Sequence, residues 1–294
     1  MQQAGIAEQF RTTHFAQVAR ARVCYHKAGD GPALVLLHGF PLSGLTWRNI
    51  VPSLAQQFTC YAFDLVGLGE TTSPNAADFA SDGQGRIIQQ ALRALGVSSY
   101  VLVGNDTGGW VARELALLEQ DRVTHLALMN TEIPGHRTPW IPLYQRLVRL
   151  PGSASVMRRL LASRRFRRSP LGFGGCFENL DSMDGEFTQE FVSPLISSPG
   201  RLSAMFRFLA YMDFQRIDRF AELHGKLSMP VAFLWGEADP TFPVQVARTM
   251  AAQFPNVVQF RTVRNAKLFF HEEQPEVVAK WVTEFISGDA YPDA

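Results

Sequence analysis

The chain has 294 residues, 46% of them hydrophobic, which is enough for one large core, or a core with a smaller lobe, without disulfide support. A formal net charge of +1 gives no reason to expect nucleic acid or an anionic membrane as a partner. The start, "MQQAGIAEQF", lacks the basic and apolar regions of an export signal and no apolar run is long enough to span a bilayer, so a cytoplasmic protein is expected. Cys24, Cys60 and Cys176 are too few and too scattered for a disulfide framework or a zinc site and read as reduced thiols.

In chain order, apolar runs of strand length alternate with segments of helical period. "ALVLLHGF" (33–40) precedes "TWRNIVPSLAQQF"; "TCYAFDLVG" (59–67) precedes "GRIIQQALRALGV". "SYVLVGND" then precedes "GGWVARELALLEQ", and "VTHLALMNT" (123–131) follows. Repeated β-α-β units of this kind predict a doubly wound, mostly parallel sheet covered on both faces. "GLGETT" (67–72) lacks the third glycine of a dinucleotide loop, and no helical pattern opens there, so it reads as a turn.

From about residue 134 to 226 the pattern changes to helical segments broken by Pro and Gly, with no buried strand. The alternation resumes with "PVAFLWGEAD" (230–239), "VQVARTMAAQF", "VVQFRTVRN" (257–265) and "PEVVAKWVTEFI". The expected organisation is a core over 1–133, a helical cap over 134–226 and the rest of the core over 227–294. Such a cap would lie over the carboxyl ends of the strands, where ligands bind in open α/β sheets. Arginines 158, 159, 164, 165, 167 and 168 crowd one stretch of it and read as a solvated helix face.

The chemistry concentrates at "GNDTGG" (104–109), where a strand runs directly into a helix. Glycines two before and two after Asp106 form the frame of a nucleophile elbow, G-x-S-x-G, with aspartate in the serine's place. The free N–H groups at the following helix N-terminus favour the ionised carboxylate. A helix cap is the plainer alternative for an aspartate there.

Together with "LLHGFP" (36–41), "FDLVGLG" (63–69), "LWGEADPTFP" (234–243) and "HEEQPEVV" (271–278), the elbow makes the chain resemble the α/β-hydrolase superfamily over roughly residues 20 to 290. Within it, the chain is similar to the aspartate-nucleophile branch, which includes epoxide hydrolases, haloalkane dehalogenases and fluoroacetate dehalogenases. The resemblance implies an eight-stranded hydrolase sheet with an inserted cap, no cofactor or metal, a small-molecule substrate, and a monomer or homodimer. It implies that Asp106 attacks carbon to form an ester, that the N–H groups of Phe40 and Thr107 form an oxyanion hole, and that Asp239 is the acid orienting a histidine. Asn130 stands where some dehalogenases carry that acid, and its amide cannot replace it.

The family's histidine lies in a stretch resembling G-H-F-x-x-E, whereas this chain reads "NAKLFFHEEQPE" and places Leu268 at that position. Two readings stand. Either the loop is displaced and His271 is the base, or Leu268 replaces the base and an ester on Asp106 turns over slowly. His14, His26, His125, His136 and His224 lie away from the motifs and read as surface or core residues.

Halide sites in the family use a tryptophan after the nucleophile, where this chain has Thr107, so epoxide opening leads over dehalogenation. Epoxide hydrolases protonate the ring oxygen with two cap tyrosines. Tyr144 matches one, while Tyr211 lies several residues beyond the expected place near Phe206. His38, Trp110, Tyr144, Tyr211 and Leu268 are the expected pocket residues, with Trp140 a further candidate. The rival classes are a ligand-binding protein that has lost turnover, and a lyase or isomerase using Asp106 as a base.

Overall fold

A computed structural model describes residues 2–138 and 140–288. Eight strands form one sheet: β1 (Thr13–Val18), β2 (Ala21–Ala28), β3 (Ala33–Leu37), β4 (Thr59–Phe63), β5 (Tyr100–Asn105), β6 (Val123–Met129), β7 (Val231–Gly236) and β8 (Val257–Val263). Their spatial order is β1-β2-β4-β3-β5-β6-β7-β8. The first two strands form a hairpin, β2 pairs antiparallel with β4, and the remaining pairings are parallel. The sheet is therefore the expected mostly parallel one. The N-terminal helix Gln2–Arg11 and the hairpin lie upstream of the segments in which the sequence pattern is strongest.

β4, β5 and β7 are buried along their whole length, which explains why they read as continuous apolar runs. Their side chains divide between two layers. Leu34, Leu36, Val101, Val103, Ala232 and Leu234 pack with the final helix, Pro275–Ser287. Val35, Leu37, Leu102, Leu128, Phe233 and Trp235 face the other layer, with helices Ser81–Ala94 and Thr107–Leu118. This period-two division is what fixes the register of each parallel strand.

Between β6 and β7 the described residues contain helices and no strand. The principal ones are Trp140–Leu147, Ser153–Ala162, Pro199–Tyr211 and Phe214–Leu223. The arginine-rich stretch is tied down within this insert: Arg164 and Arg168 pair with Asp184 and Asp181, and Arg158 donates to the Ile196 carbonyl. "GLGETT" is a turn built on Asp64, which accepts hydrogen bonds from the backbone N–H of Glu70 and of Gly44, each at 2.7 Å. The three cysteines are free thiols, and no described helix is long and apolar enough to cross a membrane.

The elbow depends on a close approach of backbones. A Cβ added at Gly108 would lie 2.2 Å from the Leu37 carbonyl oxygen and 2.5 Å from that of His38, both at the end of β3. Gly108→Ala must therefore push the helix away from the sheet, with an expected loss of roughly 3 kcal/mol or more and a fall in Tm of about 6 °C or more by scanning calorimetry.

Candidate active site

Asp106 sits between β5 and helix Thr107–Leu118 with φ +51° and ψ −132°, an uncommon conformation for a residue other than glycine. It is over-determined from several sides. Its N–H donates to the Asn130 carbonyl at 2.9 Å, and its own carbonyl accepts from Gly109 N–H at 2.8 Å and lies 2.8 Å from the Thr131 hydroxyl. The Phe40 N–H donates to Asp106 Oδ2 at 2.8 Å, and the Thr107 N–H also donates to this carboxylate. Only glycine fits at residue 39, because a Cβ there would meet Asp106 Oδ2 at 2.7 Å.

Asp106 forms part of the floor of a cavity of about 450 Å³ whose walls come from both the core and the insert. Phe40, Thr107 and Leu268 contribute from the core, and Trp140, Tyr144 and Phe206 from the insert. Burial, followed by the negative charge of Glu132, pushes the Asp106 carboxyl well above the usual aspartate range, while the Phe40 and Thr107 N–H groups pull it down. Asp239 lies just behind this floor. It accepts from Asn130 Nδ2 at 2.5 Å and from Thr241 N–H at 2.8 Å, and burial raises its pKa to about 6. Asn130 is in turn held by Gly236 N–H, so β6 and β7 together position Asp239.

Several expected pocket residues lie elsewhere. His38 is fully buried: its Nδ1 is 2.8 Å from the Gly39 carbonyl and its Nε2 accepts from Leu65 N–H at 3.0 Å, so it braces the loop behind the cavity. Trp110 is buried in the core and does not line the cavity. Tyr211 is 42% exposed, rests against Phe79, and also lies outside it. Phe206, one helical turn and a residue earlier, reaches the wall instead. Tyr144 does reach the wall, where its hydroxyl donates to the Leu171 carbonyl.

His271 is not brought to Asp106 or Asp239. It is fully buried at the start of the short helix Phe270–Glu273, behind the sheet end that carries the cavity, and packs on Trp47. Its Nε2 lies 2.7 Å from Thr46 Oγ1, which donates on to Glu272 Oε1, itself paired with Arg48. Burial and the Arg48 charge lower its pKa to about 3. Leu268, by contrast, faces the cavity.

Two further cavity groups belong to none of the sequence motifs. Cys176 reaches the cavity from the insert, its thiol held neutral by burial. Glu132 follows β6 in "LALMNTEIP", lines the cavity and is 3% exposed. An acidic side chain placed directly after a buried strand was the available signal.

The α/β-hydrolase fold family matches residues 32–275. The chain belongs to that family. The hydrolase is 25% identical over 281 residues to epoxide hydrolase 3 of Xenopus tropicalis, covering 91% of this chain and 75% of the relative. It is 27% identical over 276 residues to haloalkane dehalogenase 2 of Mycobacterium tuberculosis (strain ATCC 25618 / H37Rv), covering 90% and 92%. Among solved structures it is similar to the epoxide hydrolase CorEH without ligand, with a TM-score of 0.79, 26% identity, and 94% and 99% of the two chains covered.

The burial of His271 has a pH signature. Because its folded pKa lies below the ordinary histidine value of 6.5, its contribution to stability is present above pH 6.5 and is lost as pH falls toward 3. In urea titrations between pH 6 and 4, His271→Gln should flatten the dependence of unfolding free energy on pH by up to one proton, about 1.4 kcal/mol per pH unit. His224, also lowered to about 3, keeps a residual slope in the variant. Equal slopes in variant and parent would place His271 in a solvated setting.

Proposed function

We propose that this hydrolase opens small, largely apolar epoxides through a covalent ester on Asp106, with residues 134–226 as the cap that closes the substrate cavity. One observation carries the reading: the carboxylate at the elbow has one oxygen held by the Phe40 N–H at 2.8 Å, at the floor of a largely apolar cavity. The oxygen held by the Phe40 N–H becomes the ester carbonyl oxygen, with the Thr107 N–H donating to the same carboxylate, while the other oxygen attacks carbon. The same donors then stabilise the oxyanion that forms when water adds to the ester. Asp239, behind the floor, supports the site through Asn130. The epoxide hydrolase relatives favour this substrate class.

Halide displacement at Asp106 is the alternative, favoured by the dehalogenase relatives. Thr107 directly after the nucleophile weighs against it, since its hydroxyl cannot supply the indole N–H of the family's halide site. A second reading, in which the ester forms and persists, is supported by Leu268 on the cavity wall where the family's histidine is expected.

Incubation with a panel of terminal epoxides and alkyl halides, followed by intact-mass and product analysis, separates these. Diol formation is expected, with a transient mass increase on the peptide carrying Asp106, and Asp106→Asn should lower it by roughly 10⁴-fold. No adduct and no product from any electrophile would remove the nucleophile reading. Leu268→His should accelerate release of any trapped ester, and an unchanged release rate would show that this wall position does not face the ester.

A further inference from the structure

An ester mechanism needs a group that protonates the departing ring oxygen and one that activates water, and the expected suppliers are either absent from the cavity or already engaged in a hydrogen bond. Leu268 has no titratable atom, His271 is bonded to Thr46 in another part of the core, and Tyr211 lies outside. The Tyr144 hydroxyl already donates to the Leu171 carbonyl. The cavity does hold one carboxyl group besides Asp106. Glu132 Oε2 accepts from the Thr131 hydroxyl at 3.0 Å, and Oε1 has no hydrogen-bond partner among the described residues.

A buried carboxyl oxygen without a partner costs free energy and calls for a reason. The surroundings of Glu132 hold it in place without satisfying it. Arg113, fully buried beneath the elbow, donates to the Glu132 backbone carbonyl at 2.8 Å and to Thr131 Oγ1 at 3.2 Å, so it steadies the segment and supplies a nearby positive charge. The same Thr131 hydroxyl lies 2.8 Å from the Asp106 carbonyl, which links the two acidic residues through one side chain.

We propose that Glu132 is the proton-transfer group of this active site, acting first as general acid and then as general base in place of the cap tyrosine and the histidine. This deepens the ester reading and rests on it. Two carboxylates sharing one desolvated cavity do not both ionise, so Asp106 and Glu132 hold one proton between them, and the reactive form is the one with that proton on Glu132 and Asp106 ionised. Burial raises both carboxyls, so a proton is retained in the cavity near neutral pH.

As the Asp106 oxygen forms its bond to the epoxide carbon and the ring C–O bond breaks, Glu132 gives its proton to the ring oxygen. The Glu132 carboxylate then takes a proton from the water that adds to the ester carbonyl. The tetrahedral adduct expels the diol oxygen, which takes the remaining hydroxyl proton of the adduct, and Asp106 is again a carboxylate. Epoxide and water have become diol, and both acids have returned to their starting states.

The test uses the full chain, a terminal aryl epoxide, and rapid acid quench to trap the ester. Glu132→Gln keeps the size of the side chain and leaves the Arg113 bonds to backbone and Thr131 in place. It should lower the rate of diol formation by about 10²-fold or more. Glu132→Ala should fall similarly and regain turnover in added formate, a rescue that a packing role does not produce. Glu132→Asp, should the other two fail to unfold cooperatively, is expected to lie between them and the parent. Glu132→Gln within threefold of the parent, or Glu132→Ala unmoved by formate, would overturn the assignment while leaving Asp106 as nucleophile. A parent ester that persists for hours without diol would overturn it too. A parent that yields neither ester nor diol would overturn the Asp106 reading itself.

Discussion

The hydrogen bond from Phe40 N–H to Asp106 Oδ2 joins the loop after β3 to the elbow after β5, and the site is organised around it. For these two backbones to meet, residues 39 and 108 must lack side chains, and Asp106 must accept a positive φ. Neighbouring strands absorb the strain: Asn130 and Thr131 after β6 grip the Asp106 backbone, and Asn130 reaches on to Asp239 after β7. Four consecutive parallel strands thus deliver their carboxyl ends to one spot. That is the property of open α/β sheets that makes this edge a binding site.

Electrostatics give the site its character. Asp106, Glu132 and Asp239 are all nearly fully buried, and each carboxyl is pushed upward primarily by desolvation. They differ in what opposes that push. Asp106 has two backbone donors, Asp239 has an amide and backbone donors, and Glu132 has the Arg113 charge, its own backbone N–H and a threonine hydroxyl. Asp106 and Glu132 face one cavity, and desolvation makes the two carboxyls hold a proton between them.

How much was legible in the sequence follows from where the information is stored. Strands buried on both faces declare themselves as apolar runs, and the glycine frame around Asp106 is dictated by local sterics, so both could be read directly. The placement of a long side chain is a tertiary matter. His38 stands in a motif yet points into the core, and Trp110 follows the nucleophile yet is buried in the core away from the cavity lining. Tyr211 emerges into solvent because the helix phase puts Phe206 on the cavity wall instead. His271 lies three residues from the expected place, and those three residues carry it past the cavity into the Thr46 and Arg48 cluster. Glu132 belongs to no motif, and its proximity to Asp106 exists only once β5 and β6 have paired.

The most direct test of Asp106 as the covalent nucleophile is a single turnover of an epoxide in water enriched in oxygen-18, with enzyme in excess. The expected result is a diol carrying the ordinary oxygen isotope at both positions, with the heavy label recovered in the Asp106 peptide. Heavy oxygen in the first-turnover diol, and none in Asp106, would mean that water attacks the epoxide directly and would contradict the ester.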